Sequence, residues 1–353
     1  MKRILIISPG QFGSHNGTYH YCTLLSREYI VTYFGFDEGH HGLNSDNINI
    51  IHLDRRGNSL SDKIYFILTL KNHIKTNMYD CFFVNYFLGC SFVNLFLRKK
   101  TVVDIRTGNI HKNWFKRYIF NLILLSEVCV FKNVTVISKS LALHLKLPLR
   151  AHIVPLGSPL FPKWDKKFDS FRILYVGTFH QRNIQEAIIG FSKFYFEFKD
   201  LIHIEWSIIG TGSPEEIKLI DDLIFDLGLR HVVKYLGVIR YPELNEHFEE
   251  NNIGVSFIPI TEYFNYQPPT KTFEYLSSGM ITLATYTLEN SLVVEESNGV
   301  LIRDNKDGVY DGFKYIYQNR DRFNSLEIQN KAQQFSWNNI VYNNLIPFFN
   351  KID

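Results

Sequence analysis

The stretch RILYVGTFHQRNIQEAIIGFSKFYFEF, residues 172–198, reads as one strand, one loop and one helix. Arg172–Val176 is a short apolar run that ends at Gly177. After a polar loop, Ile184, Ala187, Ile188, Phe191, Phe194, Tyr195 and Phe198 recur at i, i+3, i+4 and i+7. That spacing predicts a helix buried along one face. A near-continuous apolar strand followed by such a helix is the repeating unit of a parallel sheet covered on both faces.

The unit recurs along the whole chain. Strands are predicted at Arg3–Ile7, Ile30–Phe34, Asn49–Leu53, Phe82–Tyr86, Thr101–Ile105 and Val134–Ile137. A second set follows at Arg172–Val176, Ile204–Gly210, Val232–Leu236, Gly254–Phe257, Ile281–Ala284 and Val300–Ile302. Between the sets, Pro155, Pro159 and Pro162 lie close together, followed by the charged Asp165-Lys166-Lys167, which puts a linker at about 157–170. The expectation is an α/β protein of two Rossmann-like, doubly wound domains facing across a cleft. Residues 1–160 form the first domain and 170–335 the second. Residues 336–353 form a C-terminal helix that packs back towards the first.

Composition agrees with this. The 353 residues suffice for two domains, and 45% hydrophobic with 21% charged residues excludes a disordered or collagen-like chain. The four cysteines, Cys22, Cys81, Cys90 and Cys129, form no Cys-x-x-Cys pair, so a zinc ribbon or thioredoxin-like site has no support and a reducing, cytoplasmic setting is expected. The opening apolar run Ile4–Ile7 is too short for a signal peptide. No run of about 18 uncharged apolar residues is present to span a bilayer. The longest candidate, Tyr118–Val130, is broken by Asn121, Ser126 and Glu127.

Charge is unevenly spread. Residues 1–165 hold 20 Lys and Arg against 10 Asp and Glu, a balance of +10, while 166–353 hold 18 against 25, a balance of −7. The basic first half suits an anionic partner, a membrane surface or a phosphorylated acceptor, or is simply a solvated basic surface. Nothing points to nucleic acid.

In open α/β sheets, ligands bind beyond the carboxyl ends of the strands, so the loops there carry the chemistry. The first loop spaces its glycines as Gly10-x-x-Gly13-x-x-x-Gly17, with Asn16 before the last. Backbone N–H groups could meet a sugar or an anion there, or the glycines could serve only a tight turn. Arg182 stands just before a helix N-terminus in the loop after Val176-Gly177, where a dipole and a guanidinium together suit a diphosphate. In Gly210-Thr211-Gly212-Ser213-Pro214, Ser213 reads as an N-cap and Pro214 as the first helical residue. Capping alone explains that segment; room for a base or ribose is the alternative. In PITEYFNYQPPTKTFEYLSSG, residues 259–279, Pro268-Pro269-Thr270 opens a helix that puts Lys271 and Glu274 on one face. Lys271 could meet phosphates and Glu274 ribose hydroxyls; otherwise the two form an ordinary surface ion pair. Tyr263, Phe264 and Tyr266 shape a candidate sugar pocket. His40-His41, and Glu243 with His247, lack a third partner for a metal.

Together these segments resemble the nucleotide-sugar domain of family 4 glycosyltransferases of the GT-B fold. Val176-Gly177 with Arg182, Ile209-Gly210-Thr211-Gly212, Leu236-Gly237 and Pro269-Thr270-Lys271-Thr272-Phe273-Glu274-Tyr275-Leu276-Ser277-Ser278-Gly279 follow that family's order, as do Asn298-Gly299-Val300-Leu301 and Phe335-Ser336-Trp337. The match covers most of 172–340. In the first half, Ile4–Ser8 with its glycine loop, Thr135–Ser138 and Val154–Gly157 are similar more loosely. The sequence departs from the family in two places. Thr178 stands where an arginine often follows the strand glycine, and Tyr266, with seven residues between it and Glu274, stands where many members carry a second glutamate; Glu262 lies nearby at another spacing. The resemblance implies a retaining transfer of a sugar from a nucleotide-diphospho-sugar to a glycan or lipid-linked acceptor, in bacterial surface polysaccharide synthesis.

Under it, Arg182 and Lys271 stabilise the leaving diphosphate and His111 is the candidate for the family's catalytic-region histidine. Gly177, Gly210, Gly212, Thr270 and Glu274 join them around the nucleotide. Gly13, Asn16, Gly17, Tyr263 and Tyr266 serve the sugar or acceptor. No cofactor is expected. No metal is expected either, since the chain has no Asp-x-Asp. An epimerase of the same fold and an inactive nucleotide-sugar-binding protein are the alternatives. Basic and aromatic residues mix at the start of the segment His111–Lys132, which suggests peripheral contact with an anionic membrane there. From Leu122 onward its apolar residues read as core.

Overall fold

The computed structural model describes residues 1–39, 47–57, 59–97, 100–240 and 243–352. The chain divides into two compact units, Met1–Gly157 together with the residues from Trp337 onward, and Ser158–Ser336.

The first unit runs β1 (Arg3–Ile7), α1 (Asn16–Leu25), β2 (Ile30–Asp37), β3 (Ile48–Asp54), α2 (Ser59–Thr76), β4 (Cys81–Asn85), α3 (Ser91–Asn94), β5 (Lys100–Ile105), α4 (Trp114–Cys129), β6 (Asn133–Val136), α5 (Lys139–His144) and β7 (His152–Ile153). Its sheet is parallel in the order β3-β2-β1-β4-β5-β6-β7. Right-handed crossovers place α1 on one face and α2 to α5 on the other. The predicted strands are present; the two-residue β7 is too short to announce itself in sequence.

The second unit runs β8 (Phe171–Thr178), α6 (Ile184–Phe198), β9 (Ile204–Thr211), α7 (Pro214–Asp226), β10 (Val233–Tyr235), α8 (Leu244–Glu250), β11 (Ile253–Ser256), α9 (Thr270–Ser277), β12 (Ile281–Thr285), α10 (Leu288–Ser291), β13 (Gly299–Ile302), α11 (Lys306–Asn319) and α12 (Ser325–Ala332). Its sheet is parallel in the order β10-β9-β8-β11-β12-β13. The chain then returns to the first unit as α13 (Trp337–Ile340), a π-helical turn and α14 (Ile346–Lys351).

Both sheets are two-sided because their central strands are apolar on both faces. Ile4 to Ile7 of β1 are fully buried, as are Ile173, Leu174, Ile281 and Leu283. The helix expected over 184–198 is present, and the side chains of its stripe are all buried. Each full burial of such a side chain contributes on the order of 1.5–3 kcal/mol. Gly190, an unfavourable residue for a helix interior, sits where α6 meets α11; a β-carbon there would lie 2.3 Å from the Lys306 carbonyl oxygen. Asp165-Lys166-Lys167, expected as part of the linker, is only partly exposed. Lys166 is buried and its Nζ donates to the carbonyls of Phe248 (2.6 Å) and Glu249 (2.7 Å), satisfying the end of α8. Burial pushes its amine down to about 7.

In the first unit α1 packs against the returning C-terminal residues. Trp337 stacks on His20 at 5.2 Å and meets Tyr21 edge-on at 5.7 Å. Phe349 packs against Tyr29 and Phe83. Burial lowers the His20 imidazole from its ordinary 6.5 to about 4. The unfolded chain therefore takes up the proton first, so this residue costs no stability above pH 6.5 and destabilises progressively as pH falls from 6.5 towards 4. Replacement by Gln is expected to flatten the stability profile of the first unit across that window in acid titrations followed by circular dichroism.

Candidate functional site

The carboxyl edge of the six-stranded sheet gathers the loops after β8, β9 and β11. Gly177 and Gly210 are Cα partners across β8 and β9, and a β-carbon on Gly210 would lie 1.8 Å from the Gly177 carbonyl oxygen. Beside Gly212 the equivalent space is filled by Glu216 and by Phe179. Ser213 accepts from Glu216 N at 3.2 Å, while the Glu216 carboxylate accepts from Ser213 N at 2.8 Å. This is the capping expected from Ser213-Pro214, closed into a reciprocal box.

The loop after β8 is more unusual. Gln181 (φ 57°) and Asn183 (φ 50°) both take left-handed backbone on either side of Arg182. Such conformations cost about 1–3 kcal/mol each and persist where the surroundings over-determine them. They turn Arg182 onto the ring of Phe264, 4.1 Å from its centroid, while Gln181 accepts from the Tyr263 hydroxyl at 3.0 Å. Arg182 Nη1 is buried and makes no hydrogen bond. Burial lowers the guanidinium's pKa, with Tyr175 and Tyr263 opposing the shift. Asn183 does not cap α6 with its side chain, so that helix start keeps free N–H donors near a cation. An anion would satisfy both.

Helix α9 is anchored rather than draped on the surface. The Thr272 hydroxyl donates to Asn290 Oδ1 and shares a hydrogen bond with the Ser256 hydroxyl, both at 2.8 Å, and the Tyr275 hydroxyl accepts from Val176 N at 2.9 Å. The Tyr275 ring lies over β11 because Gly254 has no side chain; a β-carbon there would fall 2.2 Å from the ring. This fixes Lys271 and Glu274. They form the ion pair their spacing predicted, with Lys271 24% exposed and Glu274 not exposed at all. The surface-pair alternative is thereby corrected: with Tyr275 and Thr272 locked inward, the same turn carries Glu274 inside. Thr270 opens the helix, half-buried. Tyr263 and Tyr266 are half-buried and Glu262 exposed on the turn between β11 and α9.

Gly13, Asn16, Gly17 and His111 belong to the first unit. Gly13 takes φ 87°, a turn that needs glycine. Asn16 and Gly17 open α1, and the space a Gly17 side chain would need is filled by Arg106 (2.9 Å) and Trp337 (3.3 Å). Arg106, which no motif in the sequence singles out, follows β5 directly. It pairs with buried Asp104 at 2.9 Å and lies over the Tyr21 ring. His111 is exposed, and its Nδ1 accepts from Asn113 N at 3.0 Å. Among the described residues no three His, Cys, Asp or Glu side chains gather as a metal site. Glu243 and His247 lie at α8, and His40-His41 fall outside the described residues.

No family model matches the chain, and no curated protein matches it in sequence. Solved structures do match its fold. Sucrose-phosphate synthase from Thermosynechococcus elongatus superposes with a TM-score of 0.80 at 15% identity, over 100% of this chain and 99% of that one. HepE from Anabaena, solved in complex with UDP, gives 0.76 at 11%, over 99% and 100%. WaaG, a glycosyltransferase involved in lipopolysaccharide biosynthesis, gives 0.67 at 12%, over 94% and 95%. With both parallel sheets and the full length of the chain covered, this protein has the GT-B glycosyltransferase fold.

Proposed function

We propose that the protein is a retaining glycosyltransferase that moves a sugar from a nucleotide-diphospho-sugar to a glycan or lipid-linked acceptor, in bacterial surface polysaccharide synthesis at the cytoplasmic side of the membrane. The observation that carries the donor half is a buried acid, Glu274, held by a cation, Lys271, on the first turns of a helix at the carboxyl edge of a parallel sheet. Arg182, buried and unsatisfied at Nη1, adds a second cation at that edge. In this reading Lys271 leaves Glu274 for the diphosphate, and Glu274 turns to the ribose hydroxyls. Arg182 and the free N–H groups of α6 meet the phosphates. Donors held in place where negative charge grows lower the barrier more than any other single effect in such catalysis. HepE, of the same fold, has been solved with UDP and with UDP-glucose, which supports a nucleotide sugar as the co-substrate. His111, Gly13, Asn16 and Gly17 are read as facing acceptor or sugar from the first unit.

A thermal-shift panel of nucleotide sugars tests the reading. The true donor at 100 times its dissociation constant adds about 2.7 kcal/mol of stability. A panel with no stabilising nucleotide sugar removes the proposal, and product analysis separates transfer from epimerisation or mere binding.

Glu274→Gln is expected to weaken the nucleotide by about 1–3 kcal/mol, the worth of a charge-assisted hydrogen bond. Unchanged affinity by calorimetry takes Glu274 out of the site. Turnover is expected to survive EDTA, because no carboxylates in the sequence are spaced as Asp-x-Asp to bridge a divalent ion to a diphosphate. Loss in EDTA with rescue by Mg²⁺ or Mn²⁺ contradicts this.

A further inference from the structure

In the first unit, residues 55–150 contain sixteen Lys and Arg but only four Asp and Glu: Asp62, Asp80, Asp104 and Glu127. Three of the four are buried. Asp62 accepts from Arg56 N at 2.7 Å, and Asp104 pairs with Arg106. Glu127 accepts from the Tyr86 hydroxyl (2.9 Å), Gly89 N (2.7 Å) and the Ser91 hydroxyl (3.0 Å). Asp80 is exposed but precedes β4, at the opposite edge from the helix starts. Among the described residues, α2 to α5 therefore show no carboxylate to solvent.

What these helices do show is apolar. On α2, Leu60, Ile64 and Leu68 are 69%, 53% and 55% exposed, one stripe at i, i+4 and i+8. On α3, Phe92 and Leu95 are 61% and 81% exposed. On α4, Trp114, Phe115, Tyr118 and Leu122 are 69%, 54%, 56% and 46% exposed. The same helix buries Arg117 and Glu127, so it turns charge inward and apolar side chains outward. Leu122, expected in the core, is one of the outward residues. The three helices share one face of the sheet, with α2 packed on α3 and Asn94 of α3 donating to the Val130 carbonyl at the end of α4. Lys112 and Lys116 are exposed at the start of α4, whereas Lys71 and Lys75 stand on the last turns of α2, towards the edge that holds Asp80.

We infer that this face, the first halves of α2 and α4 with α3 between them, docks on a bilayer that contains anionic lipid. Exposed apolar patches of this extent mark an interaction surface. Charge decides the occupant: cations on helices that show no carboxylate suit lipid phosphates, although Asp37 and Asp54 are exposed at the ends of β2 and β3, and aromatic and aliphatic side chains beside them suit the interfacial layer beneath. Nucleic acid matches the cations but leaves the Leu, Ile and Phe side chains in water. All three helices begin at the carboxyl edge of the sheet, where open α/β sheets bind ligands. Docking would hold that edge next to the membrane, and its purpose, though not its test, rests on the lipid-linked acceptor proposed above.

Flotation of the full chain with vesicles of phosphatidylcholine, alone or mixed with phosphatidylglycerol, is the experiment. Binding is expected to the mixed vesicles and to weaken with salt. Each cation near the surface contributes roughly fivefold, so Lys112→Gln with Lys116→Gln should cost about 25-fold on mixed vesicles. Ile64→Glu with Leu68→Glu, on a different helix, should also release the protein. Absence of vesicle binding, indifference to lipid charge, or full binding by the Ile64/Leu68 variant overturns the inference. So does a concentration-dependent dimer, or an RNA complex, that this variant abolishes while vesicles go unbound. All four substitutions lie in the first unit at exposed positions and should leave nucleotide affinity unchanged. Vesicle binding without nucleotide binding would count against the donor reading and not against this face.

Discussion

Lys271→Ala is expected to lower turnover by about 10²–10³-fold, on the order of 3–4 kcal/mol of transition-state stabilisation, as when one preorganised donor is removed. The same change leaves Glu274 buried without its cation. Breaking a buried pair from one side costs about 3–5 kcal/mol of stability, and the partial exposure of Lys271 places this case at the lower end. The two effects separate in a double-mutant cycle. Lys271→Ala with Glu274→Gln should recover stability, because no charge is then stranded, but should recover no turnover. If the double variant regains activity with stability, Lys271 acts only by neutralising Glu274 and is not a phosphate ligand.

Gly210→Ala is expected to destabilise the second unit by about 2–4 kcal/mol, read from urea denaturation. Its β-carbon would fall 1.8 Å from the Gly177 carbonyl oxygen. That oxygen belongs to β8, which is hydrogen-bonded to strands on both sides and cannot step back without breaking a ladder. Gly228 is the control. It also has positive φ (66°), but open space surrounds it, so Gly228→Ala should cost only the backbone penalty of about 1–2 kcal/mol. Equal costs at the two positions would show that β8 and β9 can separate locally.

The sequence by itself determined the alternation of strands and helices, and with it two parallel, doubly wound sheets. Period is a local property: the apolar runs at Arg3–Ile7 and Arg172–Val176, and the stripe from Ile184 to Phe198, need no partner to be legible. The ends of elements that depend on side-chain caps were legible too, as at Ser213. The spacing of Lys271 and Glu274 was also visible, since i and i+3 always share a helix face.

Burial was not, and burial decided the character of the candidate site. Only the tertiary structure made Lys271 and Glu274 an inward pair, because Tyr275 packs over Gly254 and Thr272 is held by Ser256 and Asn290, residues up to 21 positions away in sequence. The left-handed backbone at Gln181 and Asn183 accompanies contacts of that loop with Tyr263 and Phe264, about 80 residues on, and no side-chain rule announces it at Gln181. Arg106 and Trp337, more than 200 residues apart, meet at Gly17, so that glycine's role was hidden as well. The helices of the first unit reverse the usual rule most plainly. In α4 the charged Arg117 and Glu127 go inside and Trp114 and Phe115 outside. A sequence pattern records which residues share a face, whereas which face meets the protein is fixed by what the neighbouring strands and helices offer it.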